Sequence, residues 1–310
     1  MTNTDEGSER AARVVESFGR HVIVEADDGT RSPAELFGKR LSVVCGDHVR
    51  VRAGRSGDAP RVIAVEDRRT FFARTDSRGR TEALAANLTL LCAVIAPEPQ
   101  PDAYIIDRYL AGAAYAGIRA AVVVNKCDLP GADSAEFADI VEEYRAAKYP
   151  VISLAATDPS RIAPLAEILT NESTMLVGQS GVGKSTLTNA LVPASLRPTR
   201  TLSDTTKEGR HTTVSTALFR LPGDGELIDP PGVRDYAPAL VDDATVQVGW
   251  PELLERAPQC RFNNCLHLRE PGCAVTDAVE AEELSARRYE SYKRLMNIMR
   301  GLAPDYERRR

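Results

Sequence analysis

No stretch of this chain approaches the ~18 consecutive apolar residues of a membrane span. Met1 to Arg13 is polar and acidic, without the basic and then apolar course of a secretory signal. These two absences argue against membrane and secreted classes and point to the cytoplasm. Residues 1–12 read as a disordered tail. There is no internal repeat and no low-complexity run. Positive charge is in short supply: 39 Lys and Arg face 44 Asp and Glu, a net charge of -5. That argues against blanket nucleic-acid binding and leaves room only for a local basic face. Cysteine is scarce too, six residues in 310. Cys45, Cys92 and Cys127 lie in apolar stretches and read as small core residues, whereas Cys260, Cys265 and Cys273 crowd around His267.

The apolar share of 43% and charged share of 27% are ordinary for a soluble globular protein, and 310 residues suit two or three domains. Residues 13–80 read as all-β. Short β-branched runs at Arg13 to Val15, His21 to Val24, Asp47 to Val51 and Arg61 to Val65 are separated by turn signals at Asp28-Gly29 and Ser56 to Asp58. A five-stranded OB barrel is the first choice, with another small β-barrel the alternative. His21 and His48 read as ordinary barrel residues. Residues 81–238 read as α/β: strands at Leu90 to Ile95, Ala120 to Val124, Val151 to Ser153 and Thr174 to Val177 alternate with helices at Tyr104 to Ala116, Ala135 to Ala147, Ile162 to Leu169 and Ser185 to Leu191. That alternation predicts a mostly parallel sheet covered on both faces. Residues 239–310 form a third domain, with helices at Trp250 to Ala257 and Ala281 to Arg300 around the cysteine cluster.

Three chemical motifs stand in an unusual order. Asn125-Lys126-Cys127-Asp128 is an N-K-x-D box, Gly178-Gln179-Ser180-Gly181-Val182-Gly183-Lys184-Ser185 fits G-x-x-x-x-G-K-S, and Asp229-Pro230-Pro231-Gly232 is a D-x-x-G. In an ordinary P-loop GTPase the base box comes last. Here it comes first, as in a domain that has been circularly permuted. The glycines let backbone N–H groups converge on phosphate. Lys184 is expected to reach the β- and γ-phosphates, and the Ser185 hydroxyl, with Thr186 beside it, to face magnesium. The Asp128 carboxylate accepts from guanine N1 and N2, a donor pair adenine lacks, so GTP is preferred to ATP. Asn125 is expected to bridge base and neighbouring loop, the Lys126 stem to pack on the ring, and Ser153 to fall where a second base loop begins. Asp229 is expected to hold magnesium through water and the Gly232 N–H to meet the γ-phosphate. Leu196 to Thr213 suits a mobile switch with Thr212 or Thr213 as γ-phosphate sensor. Val233 stands where many GTPases carry a water-orienting glutamine, so intrinsic hydrolysis is expected to be slow. His211 is either the substitute that positions water or a solvated loop residue.

Cys260, Cys265, His267 and Cys273 form C-x4-C-x-H-x5-C. Three thiolates and an imidazole fill a tetrahedral zinc shell without an open position, so the metal is structural and a zinc hydrolase is excluded. Arg287, Arg288, Lys293, Arg294, Arg300 and Arg308 to Arg310 offer a second phosphate-binding face, or else a solvated helix and tail.

Together, Asn125 to Asp128, Gly178 to Ser185, Gly209 to Thr213, Asp229 to Arg234 and the Cys260 to Cys273 cluster resemble the ribosome small-subunit-dependent GTPase A family, over nearly the whole chain. The resemblance implies an OB barrel, a permuted GTPase and a C-terminal zinc domain. It also implies a bacterial, cytoplasmic, 30S-stimulated GTPase of late small-subunit assembly that contacts 16S rRNA. The chain is expected to act as a monomer. Pro230 departs from the Ser or Thr the family usually has there, which removes an N–H and stiffens the turn. The competing reading is a regulatory GTP-binding switch whose barrel binds a protein partner away from the ribosome.

Overall fold

The computed structural model describes residues 9–38, 40–54, 59–76, 79–193, 216–229, 236–239 and 242–302. Near the N-terminus, β1 (Glu9–Phe18), β2 (His21–Glu25), β3 (Arg31–Leu36), β4 (His48–Arg52) and β5 (Arg61–Val65) pair in the order β1-β2-β3-β5-β4 and back to β1, closing a ring. Every pairing is antiparallel except β3 with β5. This is the OB barrel. Its core takes alternate residues of each strand, among them Val14, Val22, Ala34, Val49, Val51 and Val62. Strand β3 escapes the sequence pattern because Pro33 and Glu35 interrupt it. Both occupy exposed positions, while Ala34 and Leu36 point inward.

Strand β1 is ten residues long and serves two domains. Its first half pairs with β4. Its last residues pair with β12 (Thr216–Arg220), Glu16 opposite Ala217, just past a register shift between Val14 and Glu16. Val14 fills the barrel core, and the next residue, Val15, fills the core of the α/β domain. After β5 a two-stranded hairpin, β6 (Phe71–Thr75) and β7 (Thr81–Ala86), lies outside the ring.

The α/β domain runs β8 (Leu90–Ile95), α1 (Ala103–Tyr115), β9 (Arg119–Val124), α2 (Ala135–Ala146), β10 (Val151–Ser153), α3 (Ala163–Ile168), β11 (Ser173–Val177), α4 (Lys184–Leu191), β12 and β13 (Glu226–Asp229). Its strands are ordered β10-β9-β8-β11-β13-β12, parallel except for the β12–β13 pair. All six residues of β8 are buried. Leu91, Ala93 and Ile95 pack with Ile106, Leu110 and Tyr144 of α1 and α2, while Leu90, Cys92 and Val94 pack with Leu165, Leu187 and Leu191 of α3 and α4. Helices on both faces explain why this strand reads as a continuous apolar run. Asp102 caps α1 by accepting from Tyr104 N and Ile105 N, and Ser134 caps α2 through Phe137 N. Cys92, fully enclosed in this sheet, has its thiol pushed up to about 12 by burial.

The C-terminal part contains α5 (Asp243–Val246), α6 (Pro251–Arg256), α7 (Ala274–Glu280) and α8 (Ala286–Leu302) around Trp250, Leu253, Tyr292 and Leu295. It is locked to the α/β domain by a buried ion cluster. Asp107 of α1 receives Arg288 Nη1 and Arg287 Nη1, each at 2.7 Å; Arg287 also binds Glu143 of α2, and Arg288 Nε binds Glu252 of α6 at 2.5 Å. Arg288 is 2% exposed and Asp107 is 1% exposed. These two arginines therefore do not belong to a basic face. Lys293 and Arg294 share Glu290, and Arg300 pairs with Asp243, so carboxylates offset most of the charge on the helical part of the expected phosphate-binding surface. Arg308 to Arg310 lie outside the described residues.

Candidate nucleotide and metal sites

The phosphate loop joins the end of buried β11 to the first turn of α4, the strand–loop–helix setting its motif needs. Gly178, Gly181 and Gly183 have φ of 142°, 86° and 95°, where an L side chain is strained. At two of them space is decisive as well. A Cβ on Gly178 would overlap Val94 O, and one on Gly183 would overlap Asn125 Nδ2. Gly183 is thus required by the base box as much as by the phosphates.

Asn125 carries the central contact. It is 1% exposed. Its Nδ2 donates to Val182 O at 2.8 Å, and its Oδ1 accepts from Ala156 N at 2.9 Å. One amide therefore ties the end of β9 to the phosphate loop and to the loop after β10. Two backbone bonds, Cys127 N to Leu154 O at 3.1 Å and Leu154 N to Val124 O at 2.9 Å, complete that joint. Ser153 closes β10 opposite Val124, and Ala156, three residues on, makes the contact with Asn125. Lys126 has φ 60° and donates from Nζ to Glu98 O at 2.8 Å. Asp128 is exposed at the rim.

Lys184 Nζ donates to Gly178 O at 2.8 Å and Gln179 O at 2.6 Å. Burial lowers its pKa, and the charge of Asp229 works against that shift. Asp229 mirrors it: burial raises its carboxyl and Lys184 opposes. Each charge thus works against the burial of the other, one from the end of β13 and one from the start of α4. Ser185 and Thr186 are exposed on the first turn of α4. Ser180 and Gly181 are exposed on the loop, and Val182 is buried beneath it. The sequence reading overlooked that Gln179 Oε1 accepts from Asp102 N at 2.8 Å, fastening the loop to the start of α1. His211, Thr212, Thr213 and Gly232 lie outside the described residues, as do Pro230, Pro231 and Val233.

The donor atoms of Cys260, Cys265, His267 and Cys273 all lie within 4.8 Å of one another. Cys260 Sγ and Cys273 Sγ stand 3.5 and 3.4 Å from His267 Nδ1, and 3.9 Å apart. Spacings of this order suit bonds of about 2.0–2.3 Å to one tetrahedral ion, so three thiolates and one imidazole fit zinc. The far ring nitrogen, His267 Nε2, sits 3.0 Å from Gln247 Oε1. That contact selects the tautomer that leaves Nδ1 free to ligate, and nothing in the motif signals it. Glu270 shapes the turn: burial raises its carboxyl, but backbone N–H donors of Arg269, Leu266 and Leu268 outweigh burial and lower it to about 2. Helix α8 clamps the loop from outside, with Tyr289 OH on His267 O and Tyr292 OH on Leu266 O, both at 2.6 Å.

A family model described as RsgA GTPase matches residues 65–238, the segment that holds all three nucleotide motifs. Over nearly its full length the chain is similar to the small ribosomal subunit biogenesis GTPase RsgA of Pseudomonas aeruginosa, 38% identical over 296 residues, covering 95% of this chain and 87% of that protein. The protein of the same name from Azotobacter vinelandii is 37% identical over 297 residues, covering 94% and 86%. Among solved structures, YjeQ from Thermotoga maritima superposes with a TM-score of 0.69 at 25% identity, covering 94% of this chain and 99% of that one. YloQ, a circularly permuted GTPase, superposes with a TM-score of 0.70 at 21% identity, covering 99% and 100%, which speaks to the fold alone.

Proposed function

This chain belongs to the RsgA GTPase family, and from that premise we propose that it hydrolyses GTP to GDP and phosphate in the maturation of the small ribosomal subunit, on stimulation by the 30S particle. The observation that carries the reading is Asn125, whose single amide holds the N-K-x-D box against the phosphate loop. A permuted chain can act as a GTPase only if folding restores that proximity.

Residues 9–12, expected in the tail, belong to β1, and the β6–β7 hairpin spans the expected boundary at 80/81; in this reading the barrel, the α/β domain and the C-terminal metal domain divide the work. Asp128 selects guanine, with Asn125 and Lys126 shaping the pocket beside the loop that follows Ser153. Gly178 to Gly183 present backbone donors to the phosphates, and Lys184 turns from its loop carbonyls to the β- and γ-phosphate oxygens. Ser185 and, through water, Asp229 would hold magnesium, which would supply positive charge to the phosphates, and Thr186 would face the nucleotide beside Ser185. Gly232, Thr212 and Thr213 sense the γ-phosphate. His211 takes over the orientation of attacking water that Val233 cannot provide. Zinc, held by Cys260, Cys265, His267 and Cys273, keeps the third domain folded.

The barrel is the contact to 16S rRNA. Arg20 Nη2 donates to Leu36 O at 2.8 Å and Gly38 O at 3.0 Å, the two residues that flank exposed Phe37 in the chain. A basic side chain and an exposed aromatic residue in one turn suit unstacked bases. The protein acts as a monomer in the cytoplasm. Co-sedimentation with purified 30S subunits tests this reading. Binding is expected with a non-hydrolysable GTP analogue, weaker binding with GDP, and a steep fall with salt as phosphate contacts are lost. Absence of 30S binding in every nucleotide state would contradict it.

A further inference from the structure

Asp229 is the last residue of β13, a strand of four. On one side β13 pairs with β11, and that register covers Glu226, Leu227 and Ile228. On the other side the register with β12 reaches one residue further and sets Asp229 opposite Ala217. Ala217 is in turn opposite Glu16 of β1. Glu16, Ala217 and Asp229 thus stand in one line across three strands, and two strand spacings of about 4.8 Å separate the barrel strand from the backbone of Asp229. Among the described pairings, the carboxylate that faces the charge of Lys184 takes its place in the sheet from β12, and β12 lies between β13 and the barrel.

The first residue of β13 is held to the same barrel strand. Glu226, 5% exposed, receives Arg13 of β1 and, at 2.5 Å, Arg220 of β12. Arg220 also reaches Glu25 of β2 at 2.5 Å. Between these two fixings, Val15 is the residue left over at the register shift in β1, where Val14 pairs with Val24 and Glu16 with Ile23. Its side chain is fully buried in the cluster that holds Leu218 of β12 and Ile228 of β13. The turn before β4 clasps this bulge. Val14 N donates to Asp47 O at 2.8 Å, Gly46 N donates to Val14 O at 2.9 Å, and Cys45 Sγ donates to Val15 O at 3.4 Å. Gly46 lies so close to β13 that a Cβ there would stand 3.3 Å from Ile228 Cδ1.

We propose that β1 of the barrel positions Asp229, with Val15 and Arg13 as the positioning residues, so that a ligand seated on the barrel acts on the carboxylate expected to face magnesium. Strand pairing admits only whole-residue slips, and each slip turns every side chain to the other face. A close-packed core does not stretch to absorb a smaller shift. A displacement of β1 is therefore carried into β12 and β13, and by linkage a charge bound at Asp229 acts back on the barrel.

The inference rests on the reading of Asp229 as a magnesium carboxylate, so its test has one arm with the metal and one without. In the first arm, Mg²⁺ is titrated into the complex with fluorescent GDP, and the concentration that half-maximally retains the nucleotide is measured. Asp229→Asn is expected to raise that concentration. Val15→Ala and Arg13→Gln, each checked for folding by circular dichroism, are expected to raise it about 10-fold, the low end for residues that support a metal's ligands. Val14→Ala, the neighbouring truncation that opens the barrel core instead, is expected to leave it unchanged. In the second arm, the backbone amide resonance of Asp229 is followed by NMR in nucleotide-free protein. It is expected to move in Val15→Ala and Arg13→Gln and to stay in place in Val14→Ala. An unchanged Mg²⁺ requirement in a folded Val15→Ala or Arg13→Gln protein, or an equal rise in Val14→Ala, would overturn the positioning, as would an Asp229 amide that does not move. If Asp229→Asn leaves the Mg²⁺ requirement unchanged, the magnesium reading fails and the amide resonance alone decides. A shift confined to Val15→Ala and Arg13→Gln then upholds the positioning, and an equal shift in Val14→Ala overturns it.

Discussion

The two ligand sites of this chain are built on opposite plans. The nucleotide site is assembled from backbone. Three glycines at positive φ, one buried asparagine and a lysine resting on loop carbonyls leave Asp128, Ser185 and Thr186 open at the rim. The metal site is assembled from side chains, and His267, Cys265 and Cys273 are buried beneath α8 with Cys260 half-buried. An open, backbone-lined site exchanges its ligand with little rearrangement. A closed one cannot release an ion without undoing its fold. The contrast explains why one domain can cycle between GTP and GDP while its neighbour serves as a fixed body.

Removing the metal breaks the comparison most severely. A shell of this type contributes ~10–16 kcal/mol of apparent binding free energy. One tightly bound zinc per chain is expected by metal analysis, and chelation or Cys265→Ser is expected to abolish the circular-dichroism signal of α5 to α8. Nucleotide affinity should survive that loss, since among the described residues Asn125 bonds to Val182 and Ala156 and Lys184 to the phosphate loop, none of them in the metal turn.

At the open site the expected effect is smaller. Asp128→Asn should weaken GTP by up to about 10⁴-fold and improve xanthosine triphosphate, because the base donors lose their acceptor. Fluorescent-nucleotide titration measures both, and equal GTP affinity in wild type and variant would remove the base-box assignment.

A smaller effect is expected at Asp107. Asp107→Ala takes a shared partner from buried Arg288 and half-buried Arg287, which keep Glu252 and Glu143, and a loss of about 3 kcal/mol is expected in denaturant unfolding. The smallest effect is expected beside the metal. Gln247→Leu should leave the four ligands in place and lower zinc affinity by about 10- to 100-fold in chelator competition, as the His267 tautomer is no longer held.

The contrast also governs how much could be read from sequence. A buried strand with helices on both sides announces itself, and Leu90 to Ile95 is β8 residue for residue; Val151 to Ser153 matches the half-buried edge strand β10. The phosphate loop and the metal cluster were legible for a related reason, since their chemistry sits in short contiguous motifs. What stayed hidden is chosen by tertiary partners. Arg287 and Arg288 look like surface charge until α1 brings Asp107 beneath them. Gln247 and Gln179 are ordinary polar residues until a histidine ring and a helix cap reach them. Helix α7 and the hairpin β6–β7 were overlooked because their alternation is weak and their burial comes from neighbours far away in the chain. The OB ring was legible only as a run of short strands. Its closure depends on β3, whose Pro33 conceals it.

Folding brings the permuted motifs of this chain back to one nucleotide site, and the ribosome is expected to complete it. Single-turnover hydrolysis of GTP with and without purified 30S subunits tests it most directly, with His211→Ala alongside. Slow hydrolysis is expected from the protein alone, stimulation on 30S subunits toward the lower part of the about 10³–10⁵ range of trans-activated GTPases, and loss of most of that stimulation in His211→Ala at nearly unchanged GTP affinity. Full stimulation of the His211 variant would discard the histidine, and an unchanged wild-type rate on 30S subunits would contradict the ribosomal switch itself.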